Sequence, residues 1–187
     1  MKLIRLNLLA LTCALAPVAQ ATTPAPYAGQ QTREIKALSG DEQADLLAGK
    51  GMGLAKAAEL NGYPGPAHVL ELAGDLALSA EQRTRTQAVW QAMDARAKAL
   101  GQQVVDAERE LDALFASKQV TRERLGEQLD RIGALQAQLR AAHLEAHLEQ
   151  ARILTPEQSS RYAARRGYTG AGGAGGARGG HRGGHKH

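Results

Sequence analysis

Between Ser79 and Ser117 the chain contains no proline, and apolar or small residues recur at Trp90, Met93, Ala97, Leu100, Val104, Ala107, Leu111 and Leu114. The steps alternate between three and four, the heptad period that sets one side of an α-helix against a partner helix. A helix of that extent, about 38 residues, would be about 57 Å long and cannot bury its own stripe. Lys118-Gln119-Val120 reads as a turn. Thr121 can cap a second long helix reaching about Ile153, with Glu123 placed to favour the positive end of its dipole. The second stripe runs through Leu125, Leu129, Ile132, Leu135, Leu139, Ala142 and Ala146, with Gln136 and His143 at heptad spacing on the same side. So short a connection forces the two helices antiparallel. The expected fold class is therefore all-α: a long antiparallel helical hairpin with short flanking helices. A lone hairpin buries little apolar surface, which favours a homodimer over a monomeric bundle closed by the N-terminal helices. The composition agrees. Only 3% of residues are aromatic, too few for a sheet core or for a groove that stacks nucleic-acid bases.

The flanks carry local start and stop signals. Ser39-Gly40-Asp41-Glu42 has the form of a capping box opening a short helix to about Ala48. Gly49-Lys50-Gly51-Met52-Gly53 breaks it, and a second short helix covers about Leu54–Leu60. That glycine run lacks a preceding strand and a Lys-Ser/Thr pair, so it is a flexible junction rather than a phosphate loop. Asn61 to Pro66 is a turn, and Pro66 can stand first in a third helix over residues 66–76. Ser79 to Gln82 and Thr155 to Gln158 are further capping boxes, the second with Pro156 at the first helical position. It opens a last helix ending near Gly167.

Residues 1–21 have a basic start at Lys2 and Arg5, an apolar run from Leu6 and an Ala19-Gln20-Ala21 cleavage site. They read as a secretory signal peptide cleaved after Ala21, the apolar run being too short to span a bilayer. Cleavage removes Cys13, the only cysteine, leaving no thiol for a disulfide, a nucleophile or a zinc site. Residues 22–65 form an N-terminal extension with short helices, 66–168 the hairpin domain, and 169–187 a low-complexity Gly/His-rich tail expected to be disordered. Residues 22–164 carry 16 basic and 19 acidic groups. The high isoelectric point thus belongs to leader and tail and does not indicate nucleic-acid binding.

The sharpest chemical constellation is His143-Leu144-Glu145-Ala146-His147. Two imidazoles at i and i+4 share one helix face and can bind one divalent transition metal, zinc, nickel, cobalt or copper. His143 also continues the apolar stripe, where an unpartnered imidazole is costly. A divalent ion needs further ligands. With the turn near residue 119, position i faces about 238 − i, so the pair lies opposite residues 91–95, where Asp94 is the nearest carboxylate and Met93 the nearest soft donor. His68 and Glu71 sit at i and i+3 on the third short helix and can fold onto that end. The expected site combines His68, His143 and His147 with Glu71 or Asp94. The tail histidines His181, His185 and His187 are weaker candidates. No catalytic set is present: the Glu between the histidines is at the wrong offset for H-E-x-x-H, and the expectation is a protein that is not an enzyme.

Two pentapeptides frame the hairpin: Leu78-Ser79-Ala80-Glu81-Gln82, with Ser where the pattern has Thr, and Leu154-Thr155-Pro156-Glu157-Gln158. With the leader and the hairpin they make residues 66–168 resemble the periplasmic Spy/CpxP superfamily of L-T-x-x-Q proteins, which includes zinc-resistance-associated proteins and heavy-metal sensors. The resemblance implies a curved, intertwined periplasmic dimer with one of two activities. In one, metal at positions matching His68, His143 and His147 shifts the dimer between two states and alters contact with a membrane-bound sensor or anti-sigma partner. In the other, an ATP-independent chaperone holds unfolded client proteins on an apolar cradle ringed by basic residues, for which Arg83, Arg85, Arg96, Arg109, Arg122, Arg124, Arg131 and Arg140 are candidates.

Overall fold

The computed structural model describes residues 25–168; the leader and the Gly/His-rich tail lie outside the described residues. Residues 25–32 form a unit of their own, a series of turns closed by bonds such as Ala28 N–H to the Ala25 carbonyl. The remainder is all-helical. Its elements are α1 (Gly40–Leu47), α2 (Lys56–Glu59), α3 (Pro66–Glu71), α4 (Ala80–Ala116), α5 (Arg122–Ala151) and α6 (Pro156–Arg165). No described helix is long and apolar enough to cross a membrane.

Helices α4 and α5 form the expected antiparallel hairpin. Arg131 pairs with Glu110, Arg96 with Glu145 at 2.5 Å, and the Gln128 amide donates to the Ala107 carbonyl at 2.6 Å, each within three positions of the expected register. Ala97, Leu100, Val104 and Ala107 of α4 are buried against Ile132, Leu135, Leu139 and Ala142 of α5. The stripe on α5 departs from expectation at two places. Leu129 is half exposed and Gln136 is exposed. The buried seam on α5 runs through Ile132, Leu135, Leu139 and Ala142, and Gln136 falls to one side of it. Leu129 lies opposite polar Arg109 in this register, with little apolar surface to cover it.

The open end of the hairpin is held by its two capping boxes. Ser79 and Thr155 cap α4 and α6, accepting from the N–H groups of Gln82 and Gln158, and each glutamine accepts from its own cap N–H in return. The two glutamines then bond each other. The Gln82 amide donates to Gln158 Oε1 at 2.8 Å and to the Ile153 carbonyl at 2.9 Å, while the Gln158 amide donates to Gln82 Oε1 at 3.0 Å and to the Leu76 carbonyl at 3.3 Å. A glutamate would serve a capping box equally well; only an amide can also donate. Leu78 and Leu154 pack beneath this clasp with Val69, Leu76 and Tyr162.

Residues 33–65 run along the hairpin as a strap, from near its turn to its open end. Lys36 meets Asp112 at 2.9 Å, and Ile35 and Leu46 enter the hairpin core. Where α1 crosses α4, a Cβ on Gly101 would stand 2.0 Å from the Leu46 carbonyl oxygen. Glycine in a helix interior costs about 1 kcal/mol relative to alanine, and here the loss is the condition for backbone contact. Helix α3 stops at Glu71 rather than continuing to 76. Residues 72–78 instead turn with Ala77 in the left-handed region (φ 50°), the Leu78 N–H returning to the Ala73 carbonyl, as in a Schellman ending.

Two substitutions of one chemistry are expected to move stability in opposite directions. Gly133→Ala, where nothing lies within 4 Å of the added methyl, raises it by up to about 1 kcal/mol. Gly101→Ala lowers it by about 1–3 kcal/mol through forced separation of α1 from α4. Gln82→Glu keeps the cap but loses both cross-hairpin donations and is expected to cost about 2–3 kcal/mol. Thermal or urea unfolding of the three variants checks these signs.

Candidate metal centre

The expected histidine pair sits on α5 near the open end, and both rings are buried: His143 is 4% exposed and His147 8%. The strap covers them. Gly51 lies against His143, and the turn from Tyr63 to Gly65 lies against His147. The close approach over His147 depends on Gly65 carrying no side chain, whereas at Gly51 a Cβ would meet His143 at ordinary contact distance. A Cβ on Gly65 would stand 3.0 Å from His147 Nε2, and one on Gly51 would stand 3.9 Å from His143 Nδ1.

The hydrogen bonds fix the tautomer of one ring. His147 Nδ1 is 2.8 Å from the Tyr63 carbonyl. A carbonyl only accepts, so Nδ1 carries the proton and Nε2 keeps its lone pair. This is the arrangement that orients an imidazole for metal binding. Glu59 supports it from α2, its carboxylate 3.6 Å from the same Nδ1. Glu59 also accepts from the Gly65 N–H at 3.1 Å, from the Tyr168 hydroxyl at 3.2 Å and from the Tyr162 hydroxyl. The Tyr162 hydroxyl is pushed well above its ordinary range by burial and by this carboxylate, so it remains a donor. His143 has no such support. Its Nε2 is buried without a partner, and burial, then the neighbouring His147, hold its pKa below the usual histidine value. It is therefore neutral at pH 7, the form that ligates metal.

Both imidazoles open onto a cavity of about 600 Å³ whose wall also includes His68, Met93, Asp94, Trp90 and Met52. The structure thus brings four of the five expected site residues to one cavity and leaves Glu71 outside it. Glu71 lines a separate groove beside Trp90 and accepts from His68 Nδ1 at 3.0 Å. Asp94 is engaged by Lys98 at 2.7 Å. Among the described residues no three His, Asp or Glu side chains converge on one point, so the five-residue set is not assembled in this conformation. The two imidazoles nevertheless fit a metal: one ring is oriented, the Nε2 of the other has no partner, and both line one cavity. The tail histidines His181, His185 and His187 lie outside the described residues.

Glu59, Met52 and Trp90 belong to this centre and were not read from the sequence as ligating or supporting residues. Only the glycine run around Met52 marked its segment as unusual, and nothing local marks Glu59. Of the eight arginines considered for a chaperone surface, Arg96, Arg109 and Arg131 are tied to carboxylates.

A family model described as heavy-metal resistance matches residues 51–161. Neither a curated protein nor a solved structure matches the chain.

An unpartnered buried ring nitrogen costs stability that an apolar side chain of similar size would not. His143→Leu is therefore expected to raise metal-free stability by about 1 kcal/mol. Because the folded-state pKa of His143 lies below its unfolded value, the unfolded chain binds more protons as pH falls through about 6.5, and stability drops there. The variant should lose that part of the acid limb. Thermal melts of both proteins between pH 5 and pH 8 check both expectations.

Proposed function

The chain belongs to the heavy-metal resistance family, within the Spy/CpxP-like superfamily, and we propose that it acts by holding a transition-metal ion at the His143–His147 pair. The family carries a resistance-related role; the finer reading is that of a periplasmic metal buffer or sensor. One observation carries it: a buried, neutral, unpartnered imidazole beside one whose tautomer is fixed for ligation, both opening onto a single cavity. A structural role alone gives no reason to bury His143 without a partner. No catalytic chemistry is proposed.

Occupation would act on the fold through the strap. The two rings belong to α5, while Gly51, Tyr63 and Gly65 against them belong to residues 33–65. An ion bound to both rings and to any group on the strap favours the strapped conformation over one in which the strap has lifted, and that difference is the signal a sensor needs. A second reading, the ATP-independent holdase, is supported by half-exposed Phe115 and Leu129 near the hairpin turn. The metal reading places its chemistry at the other end, so variants separate the two.

Calorimetric titration of Zn²⁺, Ni²⁺ and Cu²⁺ tests the proposal, using the chain with His181, His185 and His187 changed to alanine so that tail binding does not contribute. Combined His143→Ala and His147→Ala should weaken binding at least tenfold. Equal affinity in parent and double variant would remove the site. Protection of an aggregating client that survives these changes and is lost on Phe115→Ser with Leu129→Ser would favour the holdase.

A further inference from the structure

Apart from the initiating Met1 the chain has two methionines, Met52 and Met93, and one tryptophan, Trp90. All three line the cavity that also holds His68, His143 and His147, every histidine among the described residues. The hairpin core explains none of this concentration. Met52 is 47% exposed and stands between Gly51 and Gly53 with φ of 44°. That is the left-handed region, where a residue with a Cβ costs about 1–2 kcal/mol. An exposed apolar side chain in a strained conformation stabilises nothing there, while the flanking glycines give its loop freedom to move.

The charges around the cavity add a second constraint. Lys50 and Lys56 stand on its wall, which adds to the cost of a dication there, and its two carboxylates are engaged, Asp94 by Lys98 at 2.7 Å and Glu59 by the Gly65 N–H and two tyrosine hydroxyls. What remains free is a set of neutral donors, imidazole nitrogen and thioether sulfur. Neutral donors leave the charge of a dication uncompensated in a half-enclosed site, and a monovalent ion costs less there. Thioethers select soft ions, Cu(I) above the divalent series, and such d¹⁰ ions are satisfied by two or three ligands. Trp90 on the same wall puts an aromatic ring beside the space an ion would occupy, and a ring presented by its face attracts a cation.

We propose that this cavity takes a soft monovalent ion, Cu(I) or its analogue Ag(I), through the thioethers of Met52 and Met93 together with the imidazoles of His143 and His147. The inference rests on the metal-binding reading above and names the ion class. The ion enters already reduced; no electron transfer is involved. Met52 supplies a thioether from the strap and the histidines supply imidazoles from α5, so an ion bound to both ties the strap to the hairpin.

Ag(I), which needs no reductant, and Cu(I) presented anaerobically in a chromophoric chelator are titrated into the full chain carrying the three tail substitutions. The fluorescence of Trp90, the sole tryptophan, reports occupancy. Met52→Leu and Met93→Leu conserve volume and remove only sulfur. Together they should weaken Ag(I) and Cu(I) binding at least tenfold and weaken Zn²⁺ binding less than either. Met52→Leu alone, at an exposed position, should account for part of the loss even if Met93→Leu perturbs packing. Zn²⁺ binding that depends on the histidines, combined with Ag(I) affinity indifferent to both leucine changes, would overturn this inference and leave the metal reading standing. Affinities for both ions that ignore His143→Ala with His147→Ala would overturn both.

Discussion

Helices α4 and α5 hold each other through a seam pinned at both ends. Near the turn the pins are Gln128 on the Ala107 carbonyl and the Arg131–Glu110 pair; at the open end they are the reciprocal amides of Gln82 and Gln158. Between them the seam is made of small and medium apolar side chains that have no directional preference and would tolerate a slip. The polar pins do not, because each joins atoms at fixed positions along the two chains. A shift of the register by one helical turn would move His143 and His147 by about 5.4 Å along α4, and Met93 and Asp94 would no longer share their cavity. Every property of the centre depends on that register.

The hairpin supplies only half of the centre. Without residues 33–65 the α5 face bearing the histidines would be open to water, its imidazoles solvated and its ligand chemistry that of any surface pair. The strap makes the site by drying it. It does so with backbone rather than side chains: the Leu46 carbonyl on Gly101, Gly51 beside His143, Gly65 and the Tyr63 carbonyl on His147. Close backbone approach needs glycine on one partner or the other, which is why Gly49 and Gly65 on the strap and Gly101 on α4 mark its path.

Local rules made much of this legible in advance. Capping boxes, the Pro66 and Pro156 starts and the turn at residues 118–120 are decided within four or five residues, and the elements begin where those residues place them. The histidine pair was legible because the heptad carries it into the seam. Contacts between distant segments left no such mark. Glu59 is an ordinary acidic residue in a four-residue helix, and only the fold brings it to His147, Tyr162 and Tyr168. Gly101 reads as a flaw in a long helix until Leu46 is seen against it. Glu71 shows the opposite failure: its spacing from His68 suggested two ligands for one ion, and the same spacing lets the two side chains satisfy each other.

The side-chain polar atoms left buried without partners among the described residues are Thr86 Oγ1, both amide atoms of Gln150, and His143 Nε2. All lie toward the open end of the hairpin, and Gln150, His147 and His143 follow one another along the inward face of α5. The turn end carries no comparable defect. Each orphaned group costs of the order of 1–3 kcal/mol, so the penalty is concentrated at the open end, where the strap covers His143 and His147. Selection for stability alone would fill these positions with leucine or alanine, as it has done at Leu135, Leu139 and Ala142. Weak cohesion at this end has a consequence for exchange. A centre closed by a well-satisfied core would open only with global unfolding, whereas one closed over unsatisfied groups can open locally at a fraction of that cost. On the proposed reading, an ion held by neutral donors under such a cover would be bound, retained and released without the hairpin coming apart.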